Sequence, residues 1–312
     1  MTDKQARVAV IGSLNMDVVV QALRPPQMGE TVLGEAVHFI PGGKGANQAV
    51  AAARLGAHTE MIGSVGSDPF GQDLLESLKK SGVETTAVKT VSIAPTGVAS
   101  ILLSGGDNRI IVVPGANGHC LPEDVDAGKE RIAGVDVVLL QLEIPLETVL
   151  SAARTAKELG KKVVLNPAPA RELPGELYRL TDVITPNRSE LELLSGHSIG
   201  EEDLAEAMQV LLDQGVGCVV TTLGEQGAAI LSGEGFRRVA VHPVDVVDTT
   251  GAGDAFNAGL ACALSEEMEL AEAVDFAGRV AALAVTRLGA QDGMPTRREV
   301  EALYGTERKD DK

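Results

Sequence analysis

Short apolar runs alternate with helix-like segments along most of this 312-residue chain. VAVIG at 8–12 is typical of a buried strand, and the Ala-rich KGANQAVAAARLG at 44–56 ends at a glycine, as many helices do. The same order returns at 135–160, where VDVVLLQLE precedes LETVLSAARTAKELG. Because this alternation favours parallel strands, we expect a single three-layer, Rossmann-like α/β domain over residues 1–312, with helices on both faces of a mostly parallel sheet.

Two stretches interrupt the alternation. Residues 30–39 and 96–113 are rich in β-branched residues and turns, and Gly105-Gly106 is expected at a hairpin turn in the second. We expect a small β-sheet formed from about 14–40 and 95–114, which is either a pair of surface hairpins or a lid over a site at the strand ends. The last residues, GTERKDDK, are expected to be disordered.

The chain carries 44 acidic and 27 basic residues, which give a formal net charge of −17. Nucleic acids and anionic membranes would repel such a chain, because both are bound mainly through Lys and Arg. Aromatic residues are scarce, with no Trp, two Tyr and five Phe, so base stacking is disfavoured. A polyanionic small molecule can still bind if backbone N–H groups, a few placed cations or a metal neutralise it.

Three cysteines, Cys120, Cys218 and Cys262, lie far apart in apolar surroundings, and the five histidines are scattered. This pattern is typical of buried thiols in a reducing compartment and gives no transition-metal spacing. The first apolar run is too short for a signal sequence, and no uncharged stretch reaches the ~18 residues of a membrane span. We therefore expect a soluble, cytoplasmic protein.

The segment DTTGAGDAF, 248–256, joins a strand-like VVD to a helix-like run. A Gly-Ala-Gly turn at a helix N-terminus offers unpaired N–H groups to an anion, and its small residues allow close approach. Asp254 falls in the first turn of that helix, where it either complements the helix dipole or acts as a base beside the anion. The glycines favour a general base that deprotonates an alcohol attacking a phosphoryl group.

Two N-terminal segments offer polar groups for hydroxyl recognition. PGGKGANQA at 41–49 exposes glycine N–H groups and the Asn47 amide, and it matches neither a P-loop nor a dinucleotide fingerprint. Asn15 and Asp17 in GSLNMD lie two residues apart, so on an extended chain they face one side and suit neighbouring sugar hydroxyls. Ordinary turn-forming roles are the alternative for both segments. Turns after later strands add further candidates: Glu143, Asn166, Asn187 and residues 221–228.

GGKGANQA and DTTGAGDAF resemble the two signature segments of the ribokinase-like (PfkB) carbohydrate kinases, and the similarity covers nearly the whole chain. Within that family, NMD, QLE, NPAPARELP, ITPN, TLG and VTRLGAQ most resemble the members that phosphorylate ribose. The resemblance implies a transferase of ribose catabolism that moves the γ-phosphoryl group of ATP to O5 of D-ribose, giving D-ribose 5-phosphate and ADP. It also implies Mg²⁺ with the ATP, activation by a monovalent cation, usually K⁺, and a homodimer paired through its lid sheets.

The resemblance also implies roles for particular residues. Asp254 is expected to be the general base, with an anion hole formed by Gly251, Ala252 and Gly253. The expected ribose-binding residues are Asn15, Asp17, Gly42, Gly43, Lys44, Asn47, Glu143 and Asp254. The expected nucleotide-binding residues are Asn187, Thr222, Gly224, Gly227, Gly253 and Gly278. The expected cation ligands, mostly through backbone oxygens, are Asp248, Thr250, Ala284, Arg287, Gly289 and Gly293.

Two positions depart from what the family usually shows. A serine is usual near the position of Gly293, and Gly278-Arg279 differs from the usual residues beside the adenine. Other acceptors also stay open within the family: deoxyribose, fructose or a nucleoside. Asn15, Asp17 and Glu143 favour a small polyhydroxylated sugar, and the scarcity of aromatics disfavours a nucleobase.

Two other classes of protein are weaker alternatives. A nucleotide-dependent dehydrogenase is disfavoured because the dinucleotide fingerprint is missing. A sugar-binding regulatory protein would not need the Asp254 carboxylate beside an anion-binding turn.

Overall fold

The structure, a computed structural model, describes residues 4–105, 107–200 and 203–304. Its strands are β1 (Arg7–Ile11), β2 (Asn15–Gln21), β3 (Ala36–Gly42), β4 (His58–Gly66), β5 (Glu84–Val91), β6 (Gly97–Ser104), β7 (Asp107–Val113), β8 (Val137–Leu140), β9 (Lys162–Leu165), β10 (Val183–Ile184), β11 (Cys218–Thr222), β12 (Ala228–Ser232) and β13 (Gly235–Val239). Gly106 of the predicted hairpin turn and the predicted disordered tail at 305–312 lie outside the described residues.

The helices follow the same chain order. They are α1 (Lys44–Arg54), α2 (Pro69–Lys80), α3 (Pro122–Ala127), α4 (Lys129–Ala133), α5 (Leu146–Glu158), α6 (Gly175–Leu180), α7 (Arg188–Ser195), α8 (Leu204–Asp213), α9 (Ala252–Ser265), α10 (Leu270–Ala284) and α11 (Arg297–Tyr304). In the described part of the chain, none of them has the length and apolar character needed to cross a bilayer.

Nine strands form one large sheet in the order β13-β12-β11-β10-β9-β8-β1-β4-β5. The strands from β11 to β5 pair in parallel, whereas β12 and β13 add an antiparallel edge. A separate sheet has four strands, in the order β3-β2-β6-β7. A mostly parallel central sheet with helices and a small second sheet confirms the predicted fold class.

Side chains of the central strands alternate between two aliphatic cores, one on each face of the sheet. Val8 and Val10 of β1 belong to the core covered by α1, α2, α9, α10 and α11. Ala9 and Ile11 belong to the core covered by α3 to α8. Because helices cover both faces, the carboxyl edge of the parallel strands is where a ligand site is expected.

The small sheet combines two separate segments of the chain. Its strand β2 begins at Asn15, soon after β1 ends at Ile11, so the sheet starts beside the carboxyl edge of the large one. β2 pairs in parallel with β6, which brings Asn15 opposite Gly97. Phe39 on β3 and Ile111 on β7 are 57% and 69% exposed. The small sheet therefore presents large apolar side chains to its surroundings.

The VVD segment at 246–248 was predicted to be a strand, and that prediction is wrong. Residues 240–249 contain no strand, and Val246 is 58% exposed. The large sheet ends at β13, and the N–H groups of Val247 and Asp248 instead donate to the carbonyl oxygen of Val285, at 2.8 and 3.1 Å. None of the strands in the described ranges pairs with the β-branched residues of this segment.

The three cysteines pack as small apolar side chains. Cys120, Cys218 and Cys262 are all buried and unpaired. Burial raises the pKa of each thiol to about 12, so the reactive thiolate form is suppressed.

Candidate active site

Most of the predicted site residues meet along the carboxyl edge of the parallel strands. One group surrounds the beginning of α1 and α9: Asn15, Asp17, Gly42, Gly43, Lys44, Asn47, Glu143 and Asp254. A second group lies on two segments, one just before α9 and one from the end of α10 onward. Its members are Asp248, Thr250, Ala284, Arg287, Gly289 and Gly293. Asn187 and Thr222 lie side by side, joined by a single parallel bridge.

Two glycines let helix α1 press against the chain that follows β1. Gly43 has a φ of 90°, and a Cβ there would lie 2.7 Å from the Asn15 nitrogen. A Cβ on Gly45 would lie 2.6 Å from the nitrogen of Ser13. Real side chains do not tolerate such distances, so only glycine allows this contact. The start of α1 is thereby fixed beside the polar residues 13–17.

The Glu143 carboxylate sits at the N-terminus of α1. Its Oε2 accepts hydrogen bonds from the Ser13 hydroxyl and, at 3.2 Å, from the backbone N–H of Lys44. The positive end of a helix dipole stabilises a carboxylate in this place. Glu143 thus ties the turn after β8 to the turn after β1 and to α1.

Asn15 and Asp17 are held in place by different neighbours. The Asn15 Oδ1 accepts a hydrogen bond of 2.7 Å from Asn117, whose own Oδ1 accepts from the N–H of Leu14 at 2.9 Å. Asp17 packs on Gly42, where any Cβ would collide with the Asp17 carboxylate. Asn117 therefore orients one predicted sugar-binding residue, and Gly42 leaves room for the other.

Asp254 is the most deeply placed carboxylate of the site. It lies in the first turn of α9, with only 7% of its surface exposed. Its Oδ2 accepts from the side-chain amide of Asn47 at 2.9 Å, and its Oδ1 accepts from the amide of Gln48 at 3.0 Å. Helices α1 and α9 therefore meet at this carboxylate.

One lysine faces several acids in this site. The carboxyl groups that act on Lys44 are those of Asp254, Glu143, Glu190 and Asp17. Burial alone would lower the pKa of Lys44, but the nearby carboxylates outweigh it and raise the pKa, so the ammonium form is retained.

The acids themselves are made less acidic. Burial, with repulsion from Glu143 and Asp254, raises the pKa of Asp17 to about 7. Burial also raises the pKa of Asp254, against the opposing effects of Lys44, Asn47 and Gln48. The site is therefore an acidic pocket around one cation, and added positive charge or hydroxyl donors would stabilise it.

The three residues of the predicted anion-binding turn differ in how open their backbone is to a ligand. Gly251 caps α9 with a φ of 78°, and a Cβ there would lie 3.1 Å from the Cα of Ala290. The N–H of Ala252 donates to the carbonyl oxygen of Thr249 at 3.2 Å, so this predicted donor is engaged within the turn. Gly253 is exposed, and a Cβ there would meet no atom of the described residues within 4 Å. Gly253 is the member of the turn that is open to a ligand.

Carbonyl oxygens converge at the predicted cation site. The Cβ position of Gly293 lies 2.6 Å from the Gly289 oxygen, 3.0 Å from that of Ala284 and 3.6 Å from that of Arg287. A serine at 293 would have to displace the Gly289 oxygen and would crowd that of Ala284, which favours the glycine in this chain. The Asp248 carboxylate accepts from the N–H groups of Thr250 and Gly289, both at 2.9 Å. Partial burial would raise the pKa of Asp248, but these bonds lower it and keep the carboxylate ionised.

The predicted nucleotide residues are spread along the neighbouring strand ends. Asn187 caps α7, because its Oδ1 accepts from the N–H of Glu190 at 2.9 Å. Gly224 and Gly227 have φ values of 58° and 80° and close a tight turn through a bond of 3.0 Å between them. Gly278 lies on α10, where a Cβ would meet the ring of His242 at 3.6 Å.

Sequence reasoning did not single out several polar residues that complete the site: the buried Gln48, Asn117, Gln141 and Gln291, and the half-buried Glu190. For two of them the sequence contains a feature that could have identified them. Gln48 lies inside GGKGANQA, and Glu190 stands three residues after Asn187, the spacing of a helix capping box. Asn117 is isolated in the sequence and reaches the site only through folding.

Comparison with known proteins identifies the family. The sequence pattern described as "pfkB family carbohydrate kinase" matches residues 5–297. The chain is a pfkB family carbohydrate kinase. The kinase is 44% identical over 296 residues to a ribokinase from Bacillus subtilis (strain 168), covering 95% of this chain and 98% of that protein. It is 37% identical over 292 residues to a deoxyribokinase from Salmonella typhi, covering 93% of this chain and 95% of that protein.

A solved structure extends the comparison to the fold. The structure of Arabidopsis thaliana ribokinase complexed with ribose and ATP superposes on the kinase with a TM-score of 0.91 at 35% sequence identity. The match covers 96% of the kinase and 99% of that chain. The large sheet and the small sheet are therefore shared features of these proteins.

Replacing Asp17 with asparagine is expected to make folding less dependent on pH. The pKa of Asp17 is about 7 in the folded protein and 3.8 ordinarily, so between these values the folded state holds a proton that the unfolded state has lost. Stability therefore falls as pH rises through this interval. Asp17→Asn should gain about 1–3 kcal/mol relative to wild type on going from pH ~5 to pH ~8, measured by urea unfolding.

A matched control is Asp126→Asn, which changes an exposed aspartate on α3. It measures how the loss of one exposed carboxyl group changes the free energy of unfolding at the same two pH values. If stability changes between the two pH values by the same amount in Asp17→Asn as in Asp126→Asn, the raised pKa of Asp17 is contradicted.

Gly253→Ala is expected to separate stability from activity. Alanine is favoured over glycine within helices by about 1 kcal/mol, and outside the helix's own backbone no described atom lies within 4 Å of the added methyl group. The free energy of unfolding should therefore stay equal or rise, while turnover falls at least about tenfold because the methyl group obstructs the approaching phosphoryl group.

The control for this variant is Gly175→Ala at the start of α6, where the new methyl group would meet only the end of the flexible Arg179 side chain, at 3.4 Å. The free energy of unfolding of Gly175→Ala should stay equal or rise, as in Gly253→Ala, while its turnover stays at the wild-type rate. Wild-type turnover in Gly253→Ala would show that the open backbone at Gly253 has no part in the reaction.

Proposed function

We propose that this kinase transfers the γ-phosphoryl group of ATP to O5 of D-ribose, giving D-ribose 5-phosphate and ADP. The observation that carries the proposal is the buried Asp254 carboxylate, which lies in the first turn of α9 next to the open backbone of Gly253. A base beside an anion-binding turn is the arrangement that phosphoryl transfer to an alcohol needs. The similarity to ribokinases over nearly the whole chain supports ribose as the acceptor.

Asp254 would act as the general base. It takes the proton from the O5 hydroxyl as that oxygen attacks the γ-phosphorus, and the bond from phosphorus to the bridging oxygen of ADP breaks. Each carboxylate oxygen has a second lone pair beyond the one used by Asn47 or Gln48, so both can still accept the sugar hydroxyl. The N–H groups of Gly251 and Gly253 would receive the transferring phosphoryl group at the N-terminus of α9.

The residues around Asp254 also fit Mg²⁺ bound with ATP. Glu190 carries a carboxylate close enough to interact with Lys44 and Asp254, and Mg²⁺ prefers such oxygen ligands alongside phosphate oxygens. When bound, the metal supplies charge neutralisation on the phosphates. Lys44 would add a positive charge on the protein side.

A monovalent cation, K⁺ by resemblance, fits the second group of residues. The oxygens of Ala284, Arg287 and Gly289 converge, and the carboxylate of Asp248 adjoins them through Gly289. An oxygen-only set suits a hard cation. Gly251 packs directly on Ala290 of this segment, so an ordered segment would support the anion-binding turn.

Specificity for ribose would come from Asn15 and Asp17. Their spacing suits two neighbouring hydroxyls, and deoxyribose lacks one of them. A site built to bond a hydroxyl rejects an analogue without it, because its polar groups are left unpaired. The 37% identity to a deoxyribokinase makes deoxyribose phosphorylation the second candidate function.

The small sheet would act as a lid and as a dimer surface. Closure over the sugar excludes water, which would otherwise hydrolyse ATP. Exposed apolar residues such as Phe39 and Ile111 are suited to burial against a second copy. A cytoplasmic location stays a prediction, supported by the three unpaired cysteines.

The proposed function is tested by ADP release from ATP with ribose, deoxyribose, fructose and adenosine, with and without K⁺. We expect the highest kcat/KM with ribose, at least about tenfold above deoxyribose, and faster turnover with K⁺. Coupling between ³¹P and ¹³C in the product should assign the phosphate to C5. A preference for fructose or adenosine, or a phosphate on C1, would contradict the proposal, and a preference for deoxyribose would favour the second candidate.

A further inference from the structure

We propose that Gln48 is a positioning residue for phosphoryl transfer, whose amide holds the Asp254 carboxylate in the orientation and charge state that proton abstraction requires. The inference rests on the proposed role of Asp254 as base. It goes further by assigning a function to a network of buried amides behind that base.

Gln48 is completely buried on α1, and its side-chain amide makes three hydrogen bonds. Its Nε2 donates to Asp254 Oδ1 at 3.0 Å and to Asn166 Oδ1 at 3.2 Å. Its Oε1 accepts from the Nε2 of Gln141. Both donors and the acceptor of one side-chain amide are therefore used, which fixes its rotamer and its direction.

The direction of each amide follows from the carboxylate. An ionised carboxylate only accepts, so Gln48 must turn its NH₂ group toward Asp254 and its oxygen toward Gln141. Gln141 must then turn its own NH₂ group toward Gln48. The order of donors and acceptors is imposed from Asp254 outward.

In this arrangement the side-chain oxygen of Gln141, Oε1, is left without a hydrogen bond among the described residues. The Gln141 side chain is fully buried. That oxygen lies against Gly12, where any Cβ would collide with it. A buried unpaired carbonyl is unfavourable and needs an explanation. Donation to Gln48, and through it to the base, supplies one.

The network also reaches the turn that would bind the phosphoryl group. Asn166 donates to the Thr185 carbonyl at 3.4 Å, and the Thr185 hydroxyl donates to Asn257 at 2.6 Å. Asn257 donates in turn to the carbonyl oxygen of Gly253 at 2.8 Å. Gln48 therefore reaches the first turn of α9 along two routes: directly through Asp254, and through the residues that follow β9 and β10 to Gly253.

The charges around Asp254 explain why such support is needed. The carboxylates that face it are Asp17 from β2, Glu143 from the turn after β8 and Glu190 from α7, while Lys44 from α1 is the facing cation. Burial and repulsion raise the pKa of Asp254, and the amides of Asn47 and Gln48 counteract that rise. Without Gln48 the base would hold its proton to a higher pH.

The test replaces Gln48 with methionine, which keeps the length of the side chain and removes the amide. We expect kcat with ribose to fall about 10- to 100-fold while KM for ribose stays within about threefold, because Gln48 acts on the base. The acidic limb of the kcat/KM profile should move to higher pH by about one unit.

Two further variants accompany it. Gln141→Met should produce a smaller change of the same kind. Thr181→Val removes a buried hydroxyl bond of 2.7 Å to Leu177, at the opposite edge of the sheet, and should lower only stability. If Gln48→Met does not fold, Gln141→Met carries the test against the same control. A kinetic profile indistinguishable from that of Thr181→Val would overturn the inference.

A direct titration keeps this test separate from the proposed function. Aspartate labelled with ¹³C at Cγ reports each carboxyl group by NMR, and Asp254→Asn identifies the Asp254 signal. The midpoint for Asp254 should rise in Gln48→Met, and an unchanged midpoint would overturn the inference. If wild type fails to phosphorylate ribose, the proposed function fails, but this titration still decides whether Gln48 controls the carboxylate.

Discussion

The site depends on one carboxylate that is buried where two helices meet. Asp254 brings the first turn of α9 against α1, and the charge of Lys44 together with the paired amides of Asn47 and Gln48 makes that burial tolerable. Placing a charge out of water costs free energy, and the surrounding acids increase the cost. The same burial makes the group a stronger base than an exposed aspartate, which is what an alcohol nucleophile requires.

An acidic protein that binds a polyanion has to supply positive potential without many cations. This chain has a net charge of −17, and the site concentrates four acids around Lys44. Backbone groups provide the remaining attraction: the helix start at Gly253 is open, and glycines 43 and 45 bring α1 close to the polar residues after β1. Glycine at these positions is thus a requirement of geometry, because any side chain would fill the space of a ligand or of a neighbouring backbone.

Local sequence patterns predicted much of the fold, whereas the remaining features depend on tertiary contacts. The alternation of VAVIG with an Ala-rich helix predicted the parallel sheet, because each element was marked by its own period and by a glycine stop. The prediction of a strand at VVD, 246–248, was wrong because β-branched residues form a strand only where a neighbouring strand can pair with them. Gln141 lies in the QLE segment, but its role, like that of Asn117, could not be identified from the sequence, because both roles come from hydrogen bonds to residues about a hundred positions away.

Single-turnover phosphorylation of ribose by Asp254→Asn, measured together with ribose binding by calorimetry, tests the account most directly. The substitution keeps the size of the side chain and removes its basicity. The account predicts that ribose still binds while phosphoryl transfer falls by a factor of about 10² or more. Transfer at a rate near that of wild type, with binding retained, would show that Asp254 is not the base and would contradict the central claim.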